Sequence, residues 1–161
     1  MKIRQLHGIL FDVGGTLIVE GQERLFPGVK DSLKTLSRNF ALGVVSNTDI
    51  KDEREVREIM RRLNIEHLFR SIIVSATVGV RKPNVRIFEM ALSQLGLSPR
   101  QAAMVGDRPE IDIVGARQAG LLTVLIDWSA EIELRTLESR MRPDFVVHSF
   151  EELQRIFSAN E

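Results

Sequence analysis

Ile9-Leu10-Phe11-Asp12-Val13-Gly14-Gly15-Thr16-Leu17 is an apolar run that carries one acid into a Gly-Gly turn. A continuous apolar run bounded by glycine reads as a strand buried on both faces, as in a parallel sheet, with Asp12 as its last residue. Open α/β sheets bind ligands at the carboxyl ends of such strands, where glycines let backbone N–H groups come close to an anion. The same letters also suit an aspartate that only opens a turn, so the rest of the chain must decide.

Working outward, short apolar runs alternate with helical patterns. The expected strands are Leu6–Asp12, Ala41–Ser46, Ser71–Ser75, Ala102–Gly106, Leu122–Asp127 and Phe145–Val147. Pro27-Gly28 leads into a helix with Val29, Leu33 and Leu36 on one face, and a second, densely charged helix is expected over Asp49–Leu63. A third is expected from Asn84 to Leu95, stopped by Gly96. Alternation of this kind means βαβ units. The expected fold is α/β: a three-layer Rossmann-like core with a central parallel sheet, helices on both faces, and all strand carboxyl ends opening on one edge. No repeat or Gly/Ser-rich linker marks a boundary, so residues 1–161 read as a single domain.

Composition limits what that edge can bind. Twenty-two basic residues face 22 acidic ones, which gives no general attraction to nucleic acid or an anionic membrane; an anion must be held by a local arrangement. The absence of cysteine excludes a disulfide framework, a thiolate nucleophile and a Cys-based zinc site. No stretch approaches a membrane span, and Met1-Lys2-Ile3-Arg4-Gln5-Leu6-His7 lacks the apolar segment of a signal peptide, so a cytoplasmic location is expected. His7, His67 and His148 show no metal-ligand spacing.

Polar groups collect at the expected strand ends. The second strand ends in Ser46-Asn47-Thr48, hydroxyl and amide donors suited to phosphate oxygens and equally to a helix cap. After the third comes Arg81-Lys82-Pro83-Asn84, where Pro83 suits the first turn of the next helix and would leave Lys82 at a fixed position, a point cation for an anionic ligand. The fourth repeats the design of the first: Met104-Val105-Gly106-Asp107 delivers an acid, and Asp112 follows at the expected start of a helix. Acids this close disfavour double ionisation unless a cation lies between them or each is well solvated. Mg²⁺, which takes one or two carboxylates and completes its shell with water and phosphate, fits that inventory.

Asp12-Val13-Gly14-Gly15-Thr16-Leu17, Ser46-Asn47, Lys82-Pro83 and Gly106-Asp107 through Asp112 together resemble the four ordered motifs of the haloacid dehalogenase superfamily, over about residues 6 to 128. The resemblance implies aspartate-based phosphoryl transfer on a phosphorylated substrate with Mg²⁺ as cofactor. It implies Asp12 as the nucleophile that forms an aspartyl-phosphate, with Lys82 as the cation steadying nucleophile and phosphate. Ser46, Asn47 and the Gly14 backbone join Lys82 in binding phosphate. Asp12, Asp107 and the Gly14 carbonyl hold the metal, and Asp112 supports that site.

One departure stands out. Phosphatases of this superfamily usually place a second Asp two residues after the nucleophile, to protonate the leaving group and later activate water; here that position is Gly14. Losing a general acid/base typically costs about 10² to 10⁴ in rate, so turnover should depend on the leaving group, and a non-catalytic phosphate-binding or scaffolding protein is the alternative. Glu20, Glu23 and Asp49 are the nearby acids that would have to replace it. The usual cap insertion points are filled by core elements, which leaves residues 18–26 as a short flap with Gly21 at its tip. So open a mouth suits a bulky or macromolecular substrate, or a homo-oligomer in which a neighbour acts as lid. Trp128 is expected to pack half-buried, and Ser149–Phe157 to form a capping box and an amphipathic helix closing the sheet edge.

Overall fold

Six strands form one sheet in the computed structural model, which describes residues 3–158. Met1 and Lys2 of the basic amino-terminal stretch therefore lie outside the described residues. The strands are β1 (Gly8–Phe11), β2 (Ala41–Ser46), β3 (Phe69–Val74), β4 (Ala102–Gly106), β5 (Leu122–Ile126) and β6 (Phe145–Val147). Their order is β3-β2-β1-β4-β5-β6 and every neighbouring pair is parallel. Because strand order reverses direction at β1, the crevice between the carboxyl ends of β1 and β4 is the switch point at which such sheets take ligands.

The helices are α1 (Val29–Leu36), α2 (Glu53–Arg62), the single turn α3 (Ser75–Val78), α4 (Val85–Leu95), α5 (Val114–Ala119) and α6 (Phe150–Ser158). Side chains alternate across the sheet. Ile9 and Phe11 join Val44, Val105 and Val124 under α1, α2 and α6, while Leu10, Val45 and Met104 face Ile87, Phe88 and Ala91 of α4 and Ala116 of α5. Both faces are thus covered, and strands that read as unbroken apolar runs are the consequence.

Several boundaries differ from the sequence expectation for local reasons. The β1 ladder stops at Phe11, although the Asp12 N–H still donates to Val105 O at 3.0 Å. β3 begins two residues early at buried Phe69 and ends at Val74, because Ser75 opens α3. The second helix starts at Glu53, not Asp49. Thr48 Oγ1 takes the N–H groups of Ile50 and Lys51, and Asp52 closes a capping box with Glu55, its Oδ1 accepting from Glu55 N at 2.9 Å while Glu55 Oε2 accepts from Asp52 N at 2.8 Å. Pro83 precedes the α4 cap, Asn84, and follows a cis peptide bond; it is not in the helix. Asp112 lies in a wide helical turn, Pro109–Ile113, ahead of α5. α6 packs on the α1 face instead of closing an edge, with Phe150 stacked on Phe11 at 5.9 Å. Its cap is split: Ser149 Oγ accepts from Glu152 N, but the Glu152 carboxylate reaches back to His148 N.

Candidate active site

Three strand ends and one loop converge at the switch point. Asp12 leaves β1, Ser46 ends β2, and Asp107 follows β4; Lys82 comes from the loop between α3 and α4. Lys82 is 2% exposed, and its Nζ lies 2.7 Å from Asp12 Oδ1 and 2.7 Å from Asp112 Oδ1. A buried ammonium is stable only with its charge matched. Burial would push this one down, yet Asp12 and Asp112 outweigh it and hold the Lys82 pKa above its ordinary value.

The main chain of Lys82 is fixed as firmly as its tip. Asn47 Oδ1 accepts from Lys82 N at 2.8 Å and Asn47 Nδ2 donates to Lys82 O at 2.9 Å. Expected among the phosphate ligands, the Asn47 amide is engaged at both ends by the residue it positions. Asp112 is likewise fully used: Oδ1 meets Lys82 and Oδ2 accepts from Arg108 N at 3.1 Å. Gly106 makes that possible, since a Cβ there would collide with the Asp112 carboxylate.

Asp107 has no such counter-charge. Burial first, and Asp12 second, push its pKa up to about 8. Burial also raises Asp112, to about 6, against the pull of Lys82. Thr16, wholly buried, donates towards Asp12 Oδ2 at 3.4 Å and Asp107 Oδ1 at 3.3 Å. Local pattern gives Thr16 no role of its own. A hydroxyl four residues after the acid, inside the same apolar stretch, was the signal available.

One carboxylate oxygen each from Asp12, Asp107 and Asp112 lies within 4.8 Å of the other two. Asp112 is occupied and Asp12 Oδ1 is paired with Lys82, while Asp107 faces Asp12 with no counter-charge of its own; hard oxygens in that arrangement fit a divalent ion of the magnesium type.

Beside the acids lies a cavity of about 360 Å³, lined by Val13, Gly14, Ser46, Asn47 and the flap. The Ser46 hydroxyl has no partner among the described residues. The turn after Asp12 directs most of its amides inward: Gly15 N donates to Ile18 O, and Val13 O accepts from Thr16, Leu17 and Ile18. The Val13 and Gly14 amides have no hydrogen-bond partner among the described residues. Gly15 is required here, with φ at +83° and Asp107 where a Cβ would stand; Gly14 has neither constraint. The flap is a small hairpin in which Ile18 bridges Leu25 and Val19 N donates to Arg24 O. Trp128 packs at its base, stacked on Phe26 at 4.4 Å and on Phe150 at 5.9 Å.

A family model of haloacid dehalogenase-like hydrolases matches residues 18–126. The glyceraldehyde 3-phosphate phosphatase of Methanothermobacter thermautotrophicus is 41% identical over 106 residues, 65% of this chain and 45% of that protein. The phosphoserine phosphatase of Thermus thermophilus is 36% identical over 116 residues, 72% of this chain and 44% of that protein. The chain thus spans about half the length of the curated relatives it matches. In fold, the crystal structure of a HAD phosphatase from Thermococcus onnurineus superposes with a TM-score of 0.80 at 17% identity, over 94% of this chain and 97% of that one.

Proposed function

Because the chain belongs to the haloacid dehalogenase-like hydrolase family, we propose that it is a phosphatase-like hydrolase cleaving a phosphate monoester through an aspartyl-phosphate on Asp12. The observation that carries this reading is the buried Lys82 ammonium, 2.7 Å from Asp12 and balanced from behind by Asp112. It orients the Asp12 carboxylate, and its charge is available to an arriving phosphoryl group. Ser46 Oγ and the amides of Val13 and Gly14 donate to the phosphoryl oxygens. Asn47 holds the Lys82 backbone, and Thr16 orients the two acids. Phosphoryl transfer depends mainly on such positioning and charge complementarity.

Asp12, Asp107 and the Gly14 carbonyl would hold Mg²⁺. When bound, the ion neutralises charge on the phosphoryl oxygens and on the paired acids. The chain acts as a single core domain in which, among the described residues, the hairpin at residues 18–26 is the cover over the site, leaving a mouth open to a bulky phosphorylated substrate or to a neighbouring copy.

Gly14 itself brings no proton donor to the leaving group, and wherever no other acid supplies one, aryl and acyl phosphates react faster than alkyl phosphates. That same glycine supports the second reading, a non-catalytic protein that binds phosphate and Mg²⁺. A phosphatase panel run with and without Mg²⁺ on wild type and Asp12→Asn separates the two. Mg²⁺-dependent turnover lost in the variant is the expected result; phosphate binding with no turnover in either protein favours the second reading.

A further inference from the structure

The hairpin over the site carries one acid without a structural partner. Glu23 gives its two oxygens to Arg62 at 2.6 and 3.1 Å, and Asp49 takes Arg81 at 2.8 Å, so both are tied to the protein surface. Glu20 makes no ion pair or hydrogen bond among the described residues. Its Cγ lies 3.7 Å from the point that a Cβ on Gly14 would occupy, and its carboxyl group is one bond further on. Glu20 also lines both the cavity bounded by Ser46 and Asn47 and a second one, about 460 Å³, bounded by Asp107 and Trp128. Glu20, itself exposed, therefore stands on the divide between them.

The hairpin is not a loose loop. Phe26 N donates to Leu17 O at 3.0 Å, the Phe26 ring is stacked on Trp128, and the Glu23–Arg62 pair ties its far strand to α2. An acid presented from such a support keeps its reach without needing a partner of its own.

We propose that Glu20 is the proton donor and acceptor of the reaction, filling from the flap the space left by Gly14; this rests on the phosphatase reading above. In the first step an Asp12 oxygen bonds to phosphorus and the P–O ester bond breaks. The electron pair goes to the ester oxygen, which takes the Glu20 proton and leaves as the alcohol. In the second, a water oxygen bonds to phosphorus while Glu20 takes its proton. The P–O bond to Asp12 breaks, returning the Asp12 carboxylate, inorganic phosphate and protonated Glu20.

The test compares wild type, Glu20→Gln, Gly14→Asp, the double variant and Asp12→Asn with Mg²⁺, on p-nitrophenyl phosphate and on glycerol phosphate. Nitrophenolate leaves without a proton, so Glu20→Gln should release one equivalent per site in a burst and then turn over about 10² to 10⁴ more slowly than wild type. On glycerol phosphate it should show the loss with no burst, and adding Gly14→Asp should restore turnover on both. Unchanged rates in Glu20→Gln, with Asp12→Asn inactive, would overturn the role of Glu20 and leave the phosphatase reading standing. Activity surviving in Asp12→Asn would overturn both.

Discussion

The Lys82 ammonium and the Asp12 carboxylate meet at 2.7 Å in a place where Lys82 is 2% exposed, with Asp112 taking the same nitrogen from the other side. Removing one partner of a buried pair leaves an uncompensated charge and costs about 3–5 kcal/mol. Lys82→Met should lower stability by about that amount in urea denaturation without metal, and abolish turnover. A variant as stable as wild type would show that the ammonium is not bound by these acids.

Asn47 acts through Lys82. Its amide makes two hydrogen bonds to the Lys82 main chain, and each such bond contributes about 0.5–1.5 kcal/mol net. Asn47→Ala should therefore cost about 1–3 kcal/mol and lower kcat more than it raises KM, because Lys82 loses its position while Ser46 and the loop amides stay in place. A pure KM effect would return Asn47 to the phosphate ligands.

The acids give the metal-free protein a particular pH dependence. Asp107 keeps its proton to about pH 8 in the folded state, whereas an unfolded aspartate releases it near 4. Between those values the folded state binds the extra proton, so stability falls as pH rises. Asp112, raised to about 6, adds to the decline over the lower part of the window. Lys82, held above its ordinary value, stays charged throughout and adds no slope. Denaturation in chelator at successive pH values from 5 to 8 should show the decline, Asp107→Asn should flatten it, and Mg²⁺ should oppose it. A metal-free stability that rises over this range contradicts the burial of Asp107 against Asp12.

The two adjacent glycines should respond differently. A Cβ at Gly14 makes only ordinary contact with Glu20, whereas one at Gly15 meets Asp107 on a backbone with φ of +83°. Gly14→Asp should fold and, in the Glu20→Gln background, raise turnover of alkyl phosphates relative to aryl phosphates. Gly15→Ala should lose at least the roughly 1–2 kcal/mol of a left-handed non-glycine residue, together with metal binding. Equal tolerance at both positions, read by thermal denaturation, would contradict the turn described.

The split between what could and could not be read from the sequence follows from range. Apolar runs ending in Asp12 and Asp107 gave the strands, their parallel pairing and the edge on which the acids meet, since period and punctuation are local properties. β2, β4 and β6 were legible to the residue for the same reason. The start of α2 was not, because Thr48 and Asp52 compete to cap it and only the chain's path decides. The Asn47 clamp on Lys82 spans 35 residues and the Thr16 contact to Asp107 spans 91; pairings at that distance leave no trace in local pattern. Pro83 misled because a proline before a helix fits its first turn as well as the residue before its cap. The nearness of Glu20 to Gly14 depends on how the hairpin folds back, so the sequence could offer three acids but not choose among them.

The account stands on covalent chemistry at Asp12. The most direct measurement is acid quench of the protein turning over an aryl phosphate with Mg²⁺, followed by peptide mapping of the phosphoryl group by mass spectrometry. A phosphoryl group on the peptide containing Asp12, absent from Asp12→Asn and accumulating further in Glu20→Gln, is the predicted result. Turnover with no labelled peptide, or with the label on another residue, would contradict it.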